Sequence, residues 1–184
     1  MLFFTGLLVL SRNKENLSLI LKSIAHSSLG FIYLAILPSF AAKILLTEGG
    51  EFWYAFALTT VFAGDTGAYL TGMAIGKTKL VPRLSPKKTV EGALGGLAAS
   101  CLFGSLWSLY FTEVPIQYLI IGGFFSGLFG QMGDFFESLL KRVADVKDSG
   151  NIMPGHGGLL DRIDGVLFAL APVYILLLFV QSLA

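Results

Sequence analysis

The chain has 184 residues, 54% hydrophobic and 14% charged, with a mean hydropathy of +0.75. A soluble domain carries roughly 25% charged residues, so that class is excluded. The net charge of +1 offers no basic excess for nucleic acid. The single cysteine, Cys101, has no internal disulfide partner and reads as a buried structural thiol.

Residues 1–10, MLFFTGLLVL, are apolar but lack a charged leader and a cleavage site, which argues against a signal peptide. They are too short to cross a bilayer, which takes roughly 20 apolar residues. They read as the tail of a span or as an interfacial segment, and the chain is expected to be a truncated form of a longer protein. Five stretches are long enough to cross: about 28–46, 52–75, 92–111, 115–135 and 165–183. The composition is Gly-rich, as membrane helices are, with neither repeat nor linker. The expectation is one integral domain over residues 1–184, an all-α polytopic bundle.

The intervening loops sort by charge. Arg12, Lys14 and Lys22 lie in 11–27; Lys77, Lys79, Arg83, Lys87 and Lys88 in 76–91; Lys141, Arg142, Lys147 and Arg162 in 134–164. These are twelve of the thirteen Lys and Arg, while loops 47–51 and 112–115 carry only Glu48, Glu51 and Glu113. Basic loops alternate with acidic ones, and the positive-inside rule turns the basic ones to the cytoplasm. The polar site is therefore expected to face the cytoplasm, in a multi-pass protein of the cell (inner) membrane.

Ionisable groups inside or beside the hydrocarbon are costly and mark function. Asp65, in Gly64-Asp-Thr-Gly-Ala-Tyr, lies within the second span and must face the bundle interior or a wet cavity. Next comes Ser85-Pro-Lys-Lys-Thr-Val-Glu-Gly, where Ser-Pro reads as a turn. Ser85 or Thr89 reads as a helix cap, with Lys87 and Lys88 beside a potential anion site. The largest cluster, residues 130–165, holds six of the twelve acids. On a continued helix Asp134, Ser138, Lys141, Asp145 and Asp148 form one stripe. Carboxylates suit Mg²⁺, which takes one or two of them plus phosphate oxygens, and Lys and Arg neutralise the rest. A Gly-rich turn follows, with His156 flanked by glycines and read as contacting phosphate or ordering the loop. Asp161 and Asp164 close the segment one turn apart. His26 reads as a surface residue, and no third His or Cys joins the two histidines in a zinc site.

Ser138-Leu-Leu-Lys-Arg, four residues, Lys147-Asp148-Ser-Gly, then Pro154-Gly-His-Gly-Gly-Leu-Leu-Asp-Arg-Ile-Asp164 resembles the signature of the phosphatidate cytidylyltransferases. Residues 64–69 and 85–92 resemble two further stretches of that family, and the likeness covers about residue 52 onward. Family members generally carry more helices before this region. The resemblance implies that CTP and phosphatidate give CDP-diacylglycerol and pyrophosphate with Mg²⁺, and it alone suggests a homodimer. On this reading Asp134 and Asp161 are the first metal ligands, with Asp148 and Asp164 as further ligands or orienters. Lys141, Arg142, Lys147 and Arg162 hold phosphates, Lys87 and Lys88 meet the triphosphate or lipid phosphate, and Asp145 and Glu137 are solvated. The rivals are a cytidylyltransferase or CTP-dependent kinase acting on another membrane lipid, and a transporter using Asp65 for cation coupling. A CDP-alcohol phosphotransferase would need an Asp-Gly…Ala-Arg…Asp…Asp pattern that the chain lacks.

Overall fold

The structure, a computed structural model, describes residues 14–150 and 158–183. It divides into two compact units, Met1–Ser39 and Phe40–Ala184. In the first, helix α1 (Lys14–Phe31) runs into a π-helical turn, Ile32–Ile36. The wide turn lies just before Pro38, whose ring crowds a regular i−4 carbonyl. His26 is exposed, with Nδ1 2.6 Å from the Lys22 carbonyl.

Helix α2 (Leu37–Leu45) leads into the second unit. It turns at Gly49, whose φ of 67° lies in the left-handed region that favours glycine. Then come α3 (Gly50–Ile75), strands β1 (Lys79–Val81) and β2 (Ser85–Thr89), α4 (Val90–Leu106), α5 (Ile116–Val143) and α6 (Leu160–Gln181). Leu17–Leu45, Val90–Leu109, Ile116–Val143 and Leu160–Gln181 are long and apolar enough to cross a membrane. The 26-residue α3 carries Asp65 and several threonines, and its buried face (Trp53, Phe56, Ala57, Thr60, Val61, Gly64) repeats with helical period. The protein is an all-helical polytopic membrane protein with one short β-ribbon.

Helix limits differ from those the hydropathy suggests. The first described helix, Lys14–Phe31, already covers residues ahead of 28, α5 continues past residue 135 to Val143, and α6 begins at Leu160. Polar residues mark where lipid contact ends, not where hydrogen bonding ends. The helix expected to carry the stripe as far as Asp148 stops earlier. After Val143, Val146 N–H donates to the Lys141 carbonyl (2.9 Å) and Asp145 N–H to that of Arg142 (3.3 Å). Asp145 has φ 52°. This is a Schellman ending with aspartate in the left-handed position glycine usually takes.

Between helices in lipid there is no hydrophobic drive, so close contact and hydrogen bonds must hold them. Buried Gly92, Gly96, Ser100 and Gly104 recur every fourth residue of α4. A methyl group built on Gly96 would lie 2.8 Å from the Gly64 carbonyl oxygen of α3, and one on Gly104 3.0 Å from Gly123 Cα of α5. One on Gly133 would lie 3.0 Å from the Asp164 carbonyl carbon, seating α6 directly on α5. Deep in the bundle, Thr60 Oγ1 and Ser126 Oγ lie 2.8 Å apart and Ser100 Oγ donates to the Thr60 carbonyl (2.9 Å), joining three helices. Trp53, Phe56, Trp107 and Phe111 pack at the end remote from the ribbon.

Gly123→Ala would place its methyl 3.1 Å from the Ser100 carbonyl carbon and 3.2 Å from Cys101 Cα, backbone atoms that cannot yield. It is expected to destabilise the bundle by about 1–3 kcal/mol. Gly30→Ala, with nothing within 4 Å, is expected to be neutral or stabilising by up to about 1 kcal/mol. Circular-dichroism melting in detergent measures both, and equal melting of the two variants would contradict the packing.

Candidate active site

The ribbon is the first device that positions the site. β1 and β2 pair antiparallel, Lys79 opposite Thr89 and Val81 opposite Ser85. The chain reverses through Pro82–Arg83–Leu84, where Leu84 N–H reaches the Val81 carbonyl (3.1 Å). Ser85 and Pro86 therefore lie in a strand, not in the turn expected of Ser-Pro. A two-stranded ribbon has an unpaired edge on which proline costs no ladder bond. Glu91 fastens the base of the ribbon, accepting from Lys77 N–H (3.1 Å) and Thr78 N–H (3.1 Å). Thr89 is the cap of α4, its Oγ1 accepting from Gly92 N–H at 3.1 Å. Ser85 is half-buried at the start of β2.

Held this way, Lys87 and Lys88 border a cavity of about 360 Å³. Its other walls come from Asp65 on α3 and Asp134 on α5, with Tyr69 and Phe135 among the apolar ones. Segments that the sequence presents as three separate polar places thus share one space. The Lys88 ammonium pairs with the Asp134 carboxylate and sits 4.3 Å from the Phe135 ring centroid, a cation–π distance. Both partners keep roughly a third of their side-chain surface exposed, at 30% and 35%. Asp65 is exposed into this space. Asp164, half-buried at the start of α6, is within electrostatic reach of Asp65, Asp134 and Lys88. Gln131 Nε2 donates to the Ala93 carbonyl (3.0 Å), tying α5 to α4 beside the cavity.

A second polar cluster lies one to two turns further along α5. Lys141 pairs with Glu137 on its own helix and with Asp161 Oδ1 of α6 at 2.7 Å. The other oxygen, Asp161 Oδ2, accepts from Ser149 N–H (2.8 Å), Ser149 Oγ (2.8 Å) and Gly158 N–H (2.7 Å). Asp161, expected as a metal ligand, therefore spends both oxygens on hydrogen-bond donors here. Glu137, expected to be solvated, is only 2% exposed and its Oε1 has no hydrogen-bond partner. Sequence reasoning passed over it as a site residue, although it falls four residues before Lys141 on the polar stripe.

Arg142, Lys147 and Asp148 are exposed, as are Asp145 and Arg162. The early end of α5 removes Asp145 and Asp148 from the stripe of Asp134, Ser138 and Lys141. His156 lies outside the described residues. Among the described residues, no three His, Cys, Asp or Glu side chains gather tightly enough to form a metal shell by themselves.

Residues 1–180 match the model of the Cytidylyltransferase family. A phosphatidate cytidylyltransferase of Bacillus subtilis (strain 168) is 44% identical over 133 residues, 72% of this chain and 49% of the relative. Its counterparts in Staphylococcus saprophyticus and Staphylococcus aureus (strain COL) are 40% and 42% identical, each over 92% of this chain and 64% of the relative. The chain thus spans between about half and two thirds of the length of these curated relatives. With almost its whole length matched, the chain belongs to the cytidylyltransferase family.

Proposed function

We propose that the chain transfers the cytidylyl group of CTP to phosphatidate, forming CDP-diacylglycerol and pyrophosphate. The observation that carries this reading is the convergence of Asp65, Lys87, Lys88 and Asp134 on one cavity at the charged end of a membrane bundle. Membership of the cytidylyltransferase family supports it. On this reading the basic loops face the cytoplasm, where CTP is, and the bundle lies in the cell membrane.

The reaction needs no protein nucleophile. A phosphate oxygen of phosphatidate attacks the α-phosphorus of CTP, and the bond to the β-phosphate oxygen breaks as pyrophosphate leaves. The protein's work is to bring two anions together and to stabilise charge at the phosphorus. Lys88 and Lys87 meet phosphate oxygens in the cavity, and the Lys88–Asp134 pair sets the direction of the Lys88 ammonium before substrate arrives. Arg142, Lys147 and Arg162 are the outer cations of the same face. Tyr69 and Phe135 offer apolar wall to the lipid.

Carboxylates are the donor class that Mg²⁺ takes. Asp134 and Asp164 would hold it, with Asp65 alongside, since Mg²⁺ takes one or two carboxylates and completes its shell with water and substrate phosphates. Bound there, the ion supplies charge neutralisation to the triphosphate. The Asp161 oxygens accept from Lys141, Ser149 and Gly158 in this structure.

Liposomes carrying the chain and phosphatidate, supplied with labelled CTP and Mg²⁺, are expected to yield CDP-diacylglycerol and pyrophosphate. EDTA is expected to stop the reaction. Release of CDP in place of pyrophosphate, or turnover indifferent to EDTA, would contradict the proposal. Asp134→Asn is expected to lower kcat by about 100-fold or more, the scale of losing a charge-stabilising group. Lys88→Met is expected to lower kcat/KM by about 10- to 100-fold, the scale of a charge-assisted hydrogen bond. Full activity in both variants would remove the cavity from the chemistry.

A further inference from the structure

The ribbon carries more charge than the cavity uses. Lys77, Lys79 and Arg83 are exposed, at its base, on β1 and at the reversal between the strands. Lys87 and Lys88 border the cavity, and these three do not. Among the described residues no carboxylate pairs with any of the three. From residue 66 to residue 90 the chain has no acidic residue. The next one, Glu91, gives both carboxylate oxygens to the backbone N–H groups of Lys77 and Thr78. The patch is therefore of one sign, and no side chain in the described structure neutralises it.

Its place in the fold decides what meets it. The ribbon follows directly on α3, which ends at Ile75. Leu70, Met73 and Ile75, on the last turns of that helix, are all exposed. Exposed apolar surface on a membrane bundle is turned to lipid, so lipid contact runs to within two residues of Lys77. At such a margin a Lys or Arg lays its stem along apolar surface and its charge among the headgroups. Basic clusters directly beside a membrane span attract anionic lipid. A free anion would meet the same cations, but the apolar flank favours a ligand with both a phosphate and acyl chains.

We propose that Lys77, Lys79 and Arg83 form a docking surface for the phosphate headgroups of anionic phospholipids, beside the cavity and separate from it. The surface concentrates anionic lipid at the cavity rim, phosphatidate among it, without taking part in the transfer.

The test uses the full chain in phosphatidylcholine vesicles, with spin-labelled phosphatidylglycerol or spin-labelled phosphatidylcholine as the probe. Phosphatidylglycerol is anionic but has no phosphate monoester to act as acceptor, so it reports on the surface and not on the reaction. The fraction of each probe immobilised by the protein is expected to favour phosphatidylglycerol by about three-fold or more. The preference is expected to vanish at about 1 M NaCl, where screening acts within about 3 Å. It is also expected to fall at least by half in the triple variant Lys77→Gln, Lys79→Gln, Arg83→Gln. The kinetic arm rests on the proposed cytidylyl transfer, and the lipid arm does not. In turnover, the triple variant is expected to need about three-fold or more phosphatidate in the bilayer, with kcat and the CTP KM within about two-fold of the parent's. A raised CTP KM with unchanged lipid preference would make these cations triphosphate ligands and overturn the proposal. No preference in the parent, or one indifferent to salt and to the substitutions, would make them topological charges only and overturn it equally. If the triple variant does not fold, the salt titration of the parent decides. If the parent shows no CTP-dependent turnover, the functional proposal falls and the lipid preference is still measured.

Discussion

Backbone contact between helices is the constraint on which the site depends. In a bilayer, lipid tails solvate a leucine face as well as another helix does, so helices associate through close packing and buried hydrogen bonds. The row Gly92, Gly96, Ser100, Gly104 lets α4 approach α3 along one half and α5 along the other. Gly130, Gly133 and Gly165 do the same for α5 and α6. Bulky residues there would separate Asp65 on α3, Asp134 on α5 and Asp164 on α6. The glycines therefore act on the chemistry without touching it.

Within that frame the charges fall into two kinds. The Lys88–Asp134 pair is partly open, borders a cavity and can change partners at modest cost, as half-exposed ion pairs contribute little to stability. The Glu137–Lys141–Asp161 group is more enclosed and links α5 to α6 and to Gly158. The ribbon plays the matching part on the other side. Glu91 and the Thr89 cap lock its base, so Lys87 and Lys88 arrive at the cavity on a short, braced arm. Electrostatic catalysis of phosphoryl transfer relies on such prior placement of charge.

Much of this was legible in the sequence, and the exceptions have physical reasons. Composition and spacing reveal a helical membrane bundle, and the three polar places named in the sequence contribute Asp65, Lys88 and Asp134 to one cavity. The ribbon was not legible, because its strands are short and Ser-Pro-Lys-Lys-Thr shows no apolar alternation. The end of α5 was missed because Asp145 holds a left-handed conformation that glycine normally announces. Glu137 was misread because a carboxylate among charged neighbours looks solvated until the partner helix is placed over it. The hydrogen bonds of Asp161 were not legible because Ser149 and Gly158 meet it only once the two helices are placed together. Helix ends and clasps of that kind depend on tertiary contacts rather than on local pattern.

Segments far apart in the chain line one cavity, and pairwise coupling tests whether they act together. A double-mutant cycle in kcat/KM over Lys88→Met and Asp134→Asn reports whether the two residues act on the same event. A coupling energy of about 1–3 kcal/mol is expected, as for residues in contact. Additive effects, within about 0.5 kcal/mol, would mean that the two residues work independently, and would contradict it.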